Sequence, residues 1–76
     1  MKNEKWKDKL KHINVPNYVM EQLEEYFQYV KENNKFMISI QIDDVLSNLN
    51  VANQENDLTI EEIMYVRSIL GEDFYD

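Results

Sequence analysis

Residues 36–50 read Phe36-Met37-Ile38-Ser39-Ile40-Gln41-Ile42-Asp43-Asp44-Val45-Leu46-Ser47-Asn48-Leu49-Asn50, and two periods compete in them. Phe36, Ile38, Ile40 and Ile42 alternate with Met37, Ser39, Gln41 and Asp43, which is the period of a strand. Ile38, Ile42, Val45, Leu46 and Leu49 also form a helical stripe, with Asp43, Asp44, Ser47 and Asn48 opposite. The choice decides the fold class. The chain offers no second strand for this one to pair with, so a strand would need a second copy. The reading adopted is an extended lead-in at 36–39 followed by a helix over 40–49. It belongs to an all-α domain, a small bundle of about four short helices. The alternative is an α+β fold with a short strand at 36–42.

Upstream, residues 17–33 read as a helix. Val19, Leu23, Tyr26, Phe27 and Val30 make one apolar stripe, and Glu21, Glu24, Glu25, Gln28 and Glu32 line the opposite face. Lys31 and Lys35 lie near its C-terminal end, where positive charge complements the helix dipole. Asn33-Asn34 reads as its stop, and Val15-Pro16 as its start, since proline is tolerated in a first turn. Before it, residues 1–13 form a lysine-rich amphipathic helix carrying Trp6, Leu10 and Ile13.

Downstream, residues 50–58 are polar and read as a loop. Thr59 with Glu62 three residues later is a capping box, which opens a helix over 60–70 with Gly71 as terminator. Ile60, Ile63, Met64, Tyr65, Val66, Ile69 and Leu70 cover most of its circumference. A helix apolar nearly all round must be buried nearly all round, by the core or by a partner.

The chain has 76 residues and no cysteine. One domain of this size buries about 60–65% of the surface its unfolded form exposes, so its stability margin is thin. Without cysteine there is no disulfide and no thiolate metal site. One glycine excludes a glycine-rich phosphate loop, and the single histidine, His12, sits among lysines, where it reads as a solvated surface residue. Residues 51–62 place Asn53, Glu55, Asp57, Thr59 and Glu62 at calcium-loop spacing, but Val51 and Asn56 stand where such a loop needs an acid and a glycine. The adjacent acids Glu24-Glu25, Asp43-Asp44 and Glu61-Glu62 read as solvated charge, because acid–base work needs carboxylates held in different environments. No enzyme, metal or cofactor is expected. No apolar run approaches the roughly 20 residues that span a bilayer, and Met1 to Leu10 lacks the apolar core of a secretory signal. The reading is a cytoplasmic protein without membrane contact.

The net charge is −7, and it is unevenly placed. Residues 1–12 carry five lysines against Glu4 and Asp8, a net +3, while residues 13–76 carry a net −10. The acidic body repels phosphate backbones and attracts basic surfaces. Direct nucleic-acid binding is therefore disfavoured, and a protein partner with a nucleic-acid-binding surface is favoured. The charge pattern has a class-level analogy in phage and mobile-element inhibitors of host defence nucleases, whose carboxylates stand in for phosphates in the host cytoplasm. Candidate contacts are Glu21, Glu24, Glu25, Glu32, Asp43 and Asp44, with Tyr29, Tyr65, Asp73 and Tyr75 as aromatic and tail contributions. The competing reading is a helical regulatory or assembly protein that forms a homodimer or docks through its apolar last helix.

Overall fold

The computed structural model describes residues 5–71. Among them lie four helices and no strand: α1 (Lys5–Lys9), α2 (Asn17–Glu32), α3 (Lys35–Gln54) and α4 (Ile60–Leu70). The fold is an all-α bundle.

The extended lead-in at 36–39 and the strand at 36–42 are both corrected. Asn34 caps a helix that begins at Lys35, and its side chain accepts from the Met37 N–H at 3.2 Å. That bond satisfies one of the orphan donors of the first turn and starts the helical period before Phe36. Of the alternating apolar residues, Phe36 and Ile40 stand in solvent on the outer face of this helix, while Ile38 and Ile42 are half-buried. The loop assigned to 50–58 is also shorter than expected. α3 continues to Gln54 because Ala52 falls on the same buried face as Val45 and Leu49, seven and three residues back.

Asn33 and Asn34 divide their work. Asn33 adopts the left-handed conformation at φ 56°, and the Asn34 N–H donates to the Tyr29 carbonyl at 3.0 Å. This is a Schellman-type stop, one that asparagine tolerates better than most side chains. Asn34 then caps the next helix. The two-residue connection folds α2 and α3 into an antiparallel hairpin, joined across its middle by Gln41. Gln41 is buried and donates to the Gln22 side-chain oxygen at 2.6 Å.

The far end of α3 stops in the same way. Asn56 has φ 62°, and the Asp57 N–H donates to the Ala52 carbonyl at 2.8 Å. Leu58 tucks into the core behind it. Thr59 and Glu62 form the expected reciprocal box at 3.1 and 2.9 Å. α4 ends at Leu70 as expected, but Gly71 has φ −91° and needs no glycine conformation.

The helix expected over 1–13 is, among the described residues, helical only at Lys5–Lys9. Turn bonds from the Leu10 and Ile13 N–H groups to carbonyls three residues back follow it, and Trp6, Leu10 and Ile13 together close the core over α2. Trp6 is fully buried and stacks on Phe27, with ring centroids 4.7 Å apart and planes 17° off parallel. Burying side chains of this size supplies about 1.5–3 kcal/mol each, which lets a five-residue helix stay docked. Val19, Leu23, Val45, Leu49, Val66 and Ile69 complete the centre. Among the described residues, no helix is long and apolar enough to cross a membrane.

Candidate functional site

α2 separates its two faces cleanly. Val19, Leu23, Tyr26 and Phe27 are buried, which turns Glu21, Glu24, Glu25, Gln28 and Glu32 outward together. Tyr29 is half-buried at the edge of this face. Glu21, Glu24, Glu25, Gln28 and Tyr29 line an open hollow of about 400 Å³. The arrangement offers carboxylates one helical turn apart beside an aromatic ring, which suits guanidinium or ammonium groups.

Part of this charge is already engaged. Lys7 pairs with Glu24 at 3.2 Å and lies 5.5 Å from the Trp6 ring centroid. Gln28 donates to Glu32 at 2.9 Å. The lysine-rich segment is thus docked beside the acidic face by Trp6. Glu21 and Glu25 are exposed and pair with no cation among the described residues.

The other expected contacts are spread over the molecule. Asp43 and Asp44 are exposed on α3, not on the face of α2. Tyr65 is half-buried, and its hydroxyl donates to the Lys9 carbonyl at 2.9 Å. His12 is exposed and meets the Tyr65 ring edge-on at 5.1 Å. Tyr65 therefore helps to hold the N-terminal segment. Asp73 and Tyr75 lie outside the described residues.

α4 is not buried all round. Ile63, Val66, Ile69 and Leu70 face the core, while Ile60 and Met64 are 57% and 64% exposed. Sequence reasoning missed that α3 also carries exposed apolar residues. Phe36 is 73% exposed, and Ile40 and Val51 are each 44% exposed. The signal was present, since a helical reading of 36–51 puts these residues opposite Val45 and Leu49.

Two tyrosines titrate away from their ordinary value. Burial pushes Tyr26 up. Tyr18 is also pushed up, first by desolvation, then by its hydrogen bond to Asp57 at 2.8 Å and by the charges of Asp57 and Glu55. Neither has the geometry of an acid–base site: Tyr26 donates to a backbone carbonyl and Tyr18 ties the start of α2 to the α3–α4 turn. The stretch 51–62 begins inside α3, so its first four residues are helix and not a cation-binding loop. Among the described residues, no group of three or more histidine, aspartate or glutamate side chains could hold a metal ion.

Comparisons with protein-family models, curated proteins and solved structures yield no match.

Proposed function

We propose that this chain is a protein-binding modulator that uses the acidic face of α2 to occupy a basic, nucleic-acid-binding surface of its partner. The observation that supports this reading is the grouping of Glu21, Glu24, Glu25 and Glu32 on one helix face beside Tyr29. Carboxylates one turn apart present a row of acceptors to arginines and lysines that otherwise hold phosphates. Tyr29 adds apolar area and a ring face for a guanidinium. The protein acts by exclusion and performs no chemistry. Its targets belong to the class of nucleases and other nucleic-acid-binding proteins that phage and mobile-element inhibitors block.

Association of this kind is steered by charge, so it is fast and weakens steeply with salt. The test is affinity capture on the immobilised chain from a bacterial lysate, eluted along a salt gradient. Retention of a nucleic-acid-binding protein that leaves at moderate salt, and is not retained by the Glu21→Lys, Glu25→Lys double variant, supports the proposal. Retention that survives high salt and the double variant counts against it.

A second reading rests on Ile60 and Met64, whose exposure leaves one side of α4 uncovered. In that reading the chain docks or dimerises through α4 and its acids only keep it soluble. Binding would then tolerate salt and fail on Met64→Asp.

A further inference from the structure

The outer face of α3 carries a second pattern, distinct from the acidic face of α2. Phe36, Ile40, the adjacent pair Asp43-Asp44, Ser47 and Val51 follow one another at three- and four-residue steps, and all are exposed. They form one stripe along the helix, about 22 Å long at the helical rise. Phe36 and Ile40 lie at one end and Val51 at the other, with the two aspartates midway. Beyond Lys35, these aspartates are the only charged side chains on α3.

This order selects against self-association. The stripe is near-symmetric about Asp43-Asp44. A two-fold pairing of two copies through it would bring four carboxylates together at the centre of the contact. Like charges facing one another in a desolvated contact cost affinity, and the chain's net charge of −7 adds to the repulsion. A helix with the opposite pattern meets no such obstacle: lysine or arginine in its central turn and apolar residues in the flanking turns.

We propose that the outer face of α3 is a docking surface for a cationic amphipathic helix of a partner protein. The partner's basic central turn meets Asp43 and Asp44, and its apolar flanks cover Phe36 and Ile40 at one end and Val51 at the other. The inference is independent of the reading of α2.

The probe is a synthetic alanine-rich helical peptide of about 18 residues, with lysines in the middle turn and leucines in the turns on either side. Its control is a scrambled peptide of the same composition. Binding is followed by backbone amide shifts of the intact chain. The designed peptide should shift the amides around Phe36, Ile40, Asp44 and Val51, and bind about tenfold more tightly than the scrambled one. Phe36→Ala removes an exposed side chain and leaves the fold intact, so it should weaken the designed peptide about tenfold. Glu21→Gln with Glu25→Gln should leave that affinity unchanged. Three results would overturn the proposal: equal binding of both peptides, shifts centred on Glu21 and Glu25, or a chain that sediments as a dimer until Phe36 is replaced. Failure here leaves salt-sensitive capture through α2 unaffected, so the two readings fail separately.

Discussion

The Tyr26 hydroxyl donates a hydrogen bond to the Leu70 carbonyl at 2.7 Å, tying the middle of α2 to the last residue of α4. The bond is buried and spans 44 residues of sequence. It satisfies a carbonyl that the helix itself leaves without a partner. Tyr26 also packs edge-on against Phe27, which carries the Trp6 stack. One side chain therefore connects α2 with the last turn of α4 and, through Phe27, with α1.

Tyr26→Phe keeps the ring and removes the donor. The variant should lose about 1–2 kcal/mol of stability in urea unfolding, because the Leu70 carbonyl stays buried without its partner. A loss of that size lowers the melting temperature by roughly 4–16 °C in a domain this small. An unchanged midpoint would mean that water replaces the hydroxyl without cost.

The same residue sets an alkaline limit. Its folded pKa is raised above the ordinary 10.0 by burial. Its contribution to stability is therefore fully present below 10.0 and lost as pH rises through the raised value. Tyr18 acts in the same direction. Urea midpoints measured from pH 8 upward should be flat at first and fall above about pH 10, with a smaller fall in Tyr26→Phe. Equal slopes in both proteins would remove Tyr26 from the account.

Trp6→Ala should be the most damaging single change in the N-terminal segment. It empties a fully buried site stacked on Phe27 and releases the anchor that holds Lys7 beside Glu24. A truncation of this kind costs about 3–5 kcal/mol, a large share of a small domain's stability. Unfolding followed by far-ultraviolet circular dichroism checks it. A loss under 1 kcal/mol would show that α1 adds little to the fold.

Thr59→Ala removes one half of the box that opens α4. The expected cost is about 1 kcal/mol, and Thr59→Ser should restore most of it. Thermal unfolding of the three proteins compares them directly.

The legible parts of the sequence were those where only one pattern fits. α2 has a single clean stripe, and its stop at Asn33-Asn34 needs only asparagine's tolerance of the left-handed region. α4 announced itself through Thr59 and Glu62. Residues 36–42 were not legible in this way, since apolar side chains occupy both faces of that turn of α3. A helix bearing exposed Phe36 and Ile40 reads locally like a strand, and the Asn34 cap starts it as a helix at Lys35. The end of α3 was obscured because Ala52 is small and its neighbours Asn50, Asn53 and Gln54 are polar, so the last buried turn resembles a loop. In the candidate site, helical spacing grouped Glu21, Glu24, Glu25 and Glu32 correctly on one face. The partial neutralisation by Lys7 was not legible, because it depends on where Trp6 docks.

The central claim is that the acidic face of α2 takes the place of nucleic acid, and competition tests it most directly. Proteins captured on the immobilised chain are challenged with duplex DNA and with an uncharged polymer at the same salt concentration. The account predicts that DNA releases the captured partner in proportion to its concentration, that the uncharged polymer does not, and that the Glu21→Lys, Glu25→Lys variant retains nothing to release. A partner that stays bound through excess DNA, and is held equally by the charge-reversed variant, would contradict it.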